Sequence, residues 1–251
     1  MISYKECNES ELMEYPSLQP KGLYKIILIV FSKDNSNKMD KIIHKSGQMK
    51  KEIDMLIPFV KEPWRDFTLS EIKEITKNKS HHYVYEALEK FSRSEVLNKE
   101  MRGNTNIYKL NGNLSDFSSL ELAEIRIKEK NSQVPICLIK AITDKIKESF
   151  FTFIITGSYA GNKQTKSSDI DVAIIIPNAS EKKQCEIALK EGELLIPEVH
   201  GFIFTEDEFY GMLVNKEYNY GKECSKNHIL LHGIEPYYKI LFKGLKNGFK
   251  G

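Results

Sequence analysis

Apolar residues recur at two clear spacings along the chain, one helical and one extended, and the switches between them mark its elements. The first apolar stretch, Tyr24 to Phe31, fits a short buried strand, and the polar residues after it carry no motif. From Met49 the pattern sharpens. Ile53, Leu56, Ile57 and Val60 fall at helical spacing. Thr68 or Ser70 then offers a cap for a helix carrying Leu69, Ile72 and Ile75, and a further helix puts Val84, Ala87, Leu88 and Phe91 on one face. VLNKEMRGNTNIYKLN reads as strand, turn, strand, with Gly103 and Asn104 at the tip. A Leu/Ile stripe predicts a connecting helix over 119–130, a linker near 131–135, and a helix over 136–148 with Leu138, Ile139, Ile142 and Ile146 inward. FFTFIITGSYAGNKQTKSSDIDVAIIIPN then gives strand, glycine turn, polar loop and strand. A helix over 181–191, a strand over 198–204 and a helical tail broken at Gly221 and Gly233 complete the reading.

Composition narrows this only slightly. A length of 251 residues suits one large domain or two small ones. The chain holds 37 basic and 35 acidic side chains, a net charge of +2, so any nucleic-acid contact must come from a local patch. Cys7, Cys137, Cys185 and Cys224 are scattered, with no C-x-x-C pair and no zinc spacing, as expected of thiols in a reducing cytoplasm. No apolar run approaches the roughly 18 residues needed to span a bilayer. The acidic N-terminus lacks the basic start and apolar core of a secretory signal, so the expectation is a soluble, cytoplasmic protein.

The chemistry concentrates between Gly157 and Asp171. Residues two apart on a strand share a face, so Asp169 and Asp171 point the same way. Two adjacent carboxylates repel unless a cation lies between them, and hard oxygen ligands suit magnesium. Gly157 allows close backbone approach to a phosphate, and the Ser158 hydroxyl can donate to it. Lys163 and Lys166 lie in the loop, where solvated lysines are the rule. The order G157-S158-Y159-A160-G161, polar loop, S168-D169-I170-D171-V172 resembles the DNA polymerase beta-like nucleotidyltransferase superfamily, in its minimal, archaeal-type form. That resemblance covers about 134–209. It implies an NTP substrate, two Mg2+ ions about 3.5–4 Å apart, and nucleotide contacts from Gly157, Ser158, Ser168 and Lys166. Asp169 and Asp171 would be catalytic and metal-binding. The resemblance also implies a third carboxylate on a later strand. Glu198 is the candidate; His200, on the same strand face, competes with it, although a lone strand histidine is usually structural.

Upstream, the order helix, helix, helix, hairpin resembles a winged helix-turn-helix domain. Such domains commonly place their second turn helix in the DNA major groove. Here His81, His82 and Tyr83 at that helix start, with Arg102 and Lys109 in the hairpin, are the candidate nucleic-acid contacts. The expected fold class is α+β: an N-terminal winged helix domain followed by a nucleotidyltransferase domain with a small mixed sheet flanked by helices. The boundaries are an extension over 1–47, the winged helix over 48–112, a connector over 113–133 and the transferase over 134–251. The expected activity is transfer of a nucleoside monophosphate from an NTP to a hydroxyl of an RNA end, a protein or a small molecule. DNA or tRNA would bind through the winged helix, or a protein would be the acceptor. The competing expectation is a DNA-binding regulator whose transferase domain senses nucleotide or is inactive.

Overall fold

The computed structural model describes residues 51–131, 133–135, 139, 142–146 and 151–251. The extension over residues 1–47 and most of the helix expected over 136–148 lie outside them. Helix α1 (Ile57–Lys61) buries Pro58, Phe59 and Val60. Strand β1 (Phe67–Thr68) runs straight into α2 (Leu69–Ile75). A reciprocal cap fixes that start: the Thr68 hydroxyl accepts the Glu71 amide at 3.2 Å, and the Glu71 carboxylate accepts the Thr68 amide at 2.8 Å. Helix α3 (His81–Arg93) starts at Ser80, whose hydroxyl accepts the Tyr83 amide, and buries Val84, Ala87, Leu88 and Phe91, the face its periodicity selects.

Strands β2 (Leu97–Arg102) and β3 (Thr105–Leu110) form an antiparallel hairpin with Arg102 opposite Thr105. Its two-residue turn requires a positive φ, and Gly103 supplies it at +61°. Strand β1 joins the other side of β3, giving the order β1-β3-β2. The hydrophobic pattern does not reveal β1, because two residues carry no period; it exists through the pairing of Phe67 with Tyr108.

Helix α4 (Ser118–Lys130) connects to a second sheet. Its elements are β4 (Thr152–Ile155), α5 (Gly157–Ala160), β5 (Ile170–Ile176), α6 (Lys182–Gly192), β6 (Val199–Thr205), α7 (Glu206–Val214), α8 (Tyr220–Lys226), β7 (Ile229–His232) and α9 (Ile234–Lys246). The strand order is β6-β5-β4-β7, with β5 and β6 parallel and the other pairs antiparallel. The mixed sheet expected from the sequence is therefore present. The tail differs from the expected run of helices, because Ile229–His232 is a strand paired with β4. Four residues are too few for periodicity to separate strand from helix, and burial of Ile229 and Leu230 on the sheet decides the outcome.

Both faces of the second sheet are covered. Ile154, Ala173, Ile175 and Leu230 belong to a core shared with the N-terminal helices, α7 and α9. Phe153, Ile155, Val172, Ile174, Val199 and Ile203 pack with Cys185, Ala188 and Leu189 of α6. The shared core also holds one polar tie. Glu124 of α4 is fully buried, accepts the Tyr238 hydroxyl at 2.7 Å and lies 3.6 Å from His228 Nε2. A carboxylate is costly to bury alone, so this network fixes α4 against α9 and the start of β7.

Candidate active site

The parallel pairing of β5 and β6 builds one corner of the molecule. Ile170 aligns with Val199 and Asp171 with His200. The Ile170 amide donates to the Glu198 carbonyl at 2.8 Å, which carries the ladder one step before β6. Partners across a ladder share a face, so Asp169 and Asp171 stand over Glu198 and His200 on the same side of the sheet. His200 Nε2 lies 3.1 Å from Glu198 Oε2 and 3.8 Å from Asp169 Oδ2. Ligating atoms of Asp169, Glu198 and His200 all fall within 4.8 Å of one another. This donor set fits a divalent cation: two carboxylates bring charge, and the imidazole adds a nitrogen ligand that also suits manganese and zinc.

Asp171 is held differently. Its carboxylate lies against the backbone of Gly157, where an added Cβ would come within 2.1 Å of Oδ2. Gly157 also has φ +63°, so both the space and the backbone conformation require glycine. Burial, then the neighbouring Asp169 charge, raises the Asp171 pKa above the usual carboxylate range, and His200 opposes the rise. The corner thus carries more negative charge than its own groups neutralise.

The glycine turn is the four-residue helix α5, clamped from two sides. Asn227 Nδ2 donates to the Gly157 carbonyl at 2.9 Å, and Asn131 Nδ2 donates to the Tyr159 carbonyl at 2.8 Å. The Thr156 and Tyr220 hydroxyls lie 3.2 Å apart. Tyr220 is pushed upward in pKa by burial first and then by Cys224, whose own thiol burial pushes up to about 12. Both therefore stay neutral beside Asp171. Further along the same face of β6, Phe202 meets Tyr220 edge-on at 5.0 Å, and Phe204 lies 6.0 Å from it. Asn131, Asn227 and Tyr220 were not legible as site residues, because they are distant in sequence and belong to no short motif.

The remaining candidates disperse. Ser158 is half-buried at the start of α5, and its hydroxyl has no protein partner among the described residues. The Ser168 hydroxyl accepts the Thr165 amide at 2.9 Å and shapes the loop, and Lys166 is exposed. His81 and His82 are exposed at the start of α3, and Tyr83 beside them is half-buried. Arg102 pairs with Asp66 at 2.7 Å and with Glu100 at 3.3 Å, and Lys109 also pairs with Glu100.

Residues 136–224 match the family model described as a nucleotidyltransferase domain. The matched stretch contains Gly157, Ser158, Asp169, Asp171, Glu198 and His200, and it supports transfer of a nucleoside monophosphate as the general activity. No curated protein and no solved structure matches the chain. No helix among the described residues is long and apolar enough to cross a membrane.

Proposed function

We propose that this protein moves a nucleoside monophosphate from an NTP to a hydroxyl acceptor and releases pyrophosphate. The observation that carries the reading is the convergence of Asp169, Asp171, Glu198 and His200 beside the Gly157 turn, inside the matched domain. Divalent ions, magnesium in the first instance, would be held by Asp169, Asp171, Glu198 and His200, and when bound they neutralise charge on the attacking and leaving oxygens.

The chain's own groups have separable tasks. Gly157 lets the backbone approach the triphosphate, and Ser158 donates its hydroxyl to a phosphate oxygen. His200 Nε2 lies at hydrogen-bond distance from Glu198 Oε2 and orients that carboxylate, with Asp169 Oδ2 3.8 Å from the same nitrogen. Asp171, desolvated and close to Asp169, is the group whose charge most needs a cation. Asn131 and Asn227 act as positioning residues, holding α5 in place.

For the N-terminal part, the order of α1, β1, α2, α3 and the β2–β3 hairpin supports the winged helix-turn-helix unit expected over 48–112, whose described residues pack through the shared core. Its hairpin cations are engaged by carboxylates of the same unit, which supports a role in holding the catalytic domain or its acceptor over one in reading DNA.

The test is incubation of the purified chain with each NTP, Mg2+ or Mn2+, and acceptor pools of tRNA and protein. Pyrophosphate should appear with at least one combination and disappear in Asp169→Asn and Asp171→Asn. Equal release by wild type and both variants would overturn the assignment.

A further inference from the structure

The acceptor class can be read from the edge of the second sheet, given the transfer reading above. Among the described residues β6 is an edge strand, paired on one side only. The Ile170 amide bonds to the Glu198 carbonyl, and a parallel ladder repeats every second residue. The backbone groups of Glu198, His200, Phe202 and Phe204 therefore face β5, and those of Val199, Gly201 and Ile203 face outward.

That outward edge floors a groove of about 750 Å³. Its lining takes four consecutive residues, Gly201 to Phe204, and hence both faces of the strand, so the floor is the strand's edge and not one of its faces. Helix α6 forms one wall with Leu189, and α7 forms the other with Gly211 and Met212. Edge strands are commonly protected by lysine, proline or a bulge. The β6 sequence, VHGFIFT, has no lysine or proline, and its register with β5 runs without a shift. The opposite edge, β7, carries a register shift against β4 and contacts α4. Phe202 is 60% exposed in the groove and lies two residues along β6 from His200, on the same strand face, so a segment paired with β6 and continued past Gly201 reaches the level of the acidic corner.

We infer that the acceptor is an extended polypeptide segment that adds to β6 as a strand and presents a Ser, Thr or Tyr hydroxyl to the Asp169–Asp171 corner. Main-chain pairing supplies affinity, and contacts with alternate side chains select the segment. Charge argues against RNA. The groove holds two lysines, Lys182 and Lys190, against three glutamates, Glu186, Glu193 and Glu208, and the same strand carries His200 beside the carboxylate corner. A nucleic-acid backbone needs clustered cations to neutralise its phosphates. In the transfer, the acceptor oxygen bonds to the α-phosphorus and the α–β anhydride bond breaks. Pyrophosphate leaves with the electron pair, and the hydroxyl proton passes to a corner carboxylate and on to water.

Gly211 provides a clean test, because a Cβ there meets nothing within 4 Å. A tryptophan at that position fills the groove, whereas alanine barely enters it. The full chain is incubated with α-labelled NTPs, Mg2+ or Mn2+, and two acceptor pools: ten-residue peptides with one central Ser, Thr or Tyr between β-forming residues, and bulk tRNA. Peptide docking is read separately, without nucleotide, by photo-crosslinking the same peptides. Label and crosslink should both appear on peptides, fall at least tenfold in Gly211→Trp and stay within twofold in Gly211→Ala. Label on tRNA alone, peptide crosslinking unchanged in Gly211→Trp, or dimerisation of the chain lost in Gly211→Trp would each overturn the inference. Crosslinking that responds to Gly211→Trp without any label transfer would uphold the docking site and refute the transferase reading.

Discussion

The β2–β3 hairpin and the β5–β6 corner are both rich in charge, but they handle it in opposite ways. In the hairpin each basic side chain meets a carboxylate: Lys99 meets Glu89, Arg102 meets Asp66 and Glu100, and Lys109 meets Glu100. At the corner Asp169, Asp171 and Glu198 converge, and His200 is the only basic group that the described structure brings into contact with them. Charges neutralised within the fold hold surface geometry. Three carboxylates gathered around a single imidazole call for further positive charge from outside. That contrast supports the corner, rather than the hairpin, as the ligand site proposed above.

The largest expected effect comes from removing the corner's charge. Asp169→Asn or Asp171→Asn should lower kcat/KM for transfer by about 10²–10³-fold, the scale for losing one preorganised electrostatic group. Circular dichroism should meanwhile report an unchanged fold. Next comes Gly157→Ala. Its Cβ would strike Asp171 Oδ2, and φ +63° is unfavourable for alanine. Displacing a catalytic carboxylate by about 1 Å costs on the order of 10²-fold, read as kcat with nucleotide binding measured in parallel.

Changes in the hairpin should do far less. Arg102→Ala and Lys109→Ala should each leave the urea-unfolding midpoint nearly unchanged, as loss of exposed ion pairs does, and leave transfer unchanged. A hairpin substitution that abolished transfer would break the contrast.

The smallest effect concerns pH. Hydrogen bonds from Thr68, its backbone amide first, and the Arg65 guanidinium lower the Glu71 pKa below the ordinary carboxylate value despite partial burial. Its stabilising contribution is complete above the unfolded-state pKa and is lost as pH falls through the lower folded-state value. Glu71→Gln should therefore be less stable than wild type near neutrality, by under about 1 kcal/mol. The difference should close in acid, as followed by thermal unfolding across pH.

Much of this arrangement is legible in the sequence. Strong local signals carried through: the buried face of α3, the hairpin tip at Gly103–Asn104, and the strand–turn–strand around Gly157. Features made by pairing distant segments did not. Strand β1 exists through β3, and β7 exists through β4. The site divides the same way. Alternation on one strand puts Asp169 and Asp171 on a common face. The register of β6 against β5, which aligns His200 with Asp171, is a tertiary fact. The clamps from Asn131 and Asn227 span 28 and 70 residues of sequence.

The central claim is that the corner transfers the α-phosphoryl group with its nucleoside attached. Parallel reactions with α-labelled and γ-labelled NTP test it most directly, with the product separated by mass. Label from the α position should remain on the acceptor, label from the γ position should leave as pyrophosphate, and Asp171→Asn should abolish both. Transfer of γ label to the acceptor, or α label retained equally by Asp171→Asn, would contradict the account.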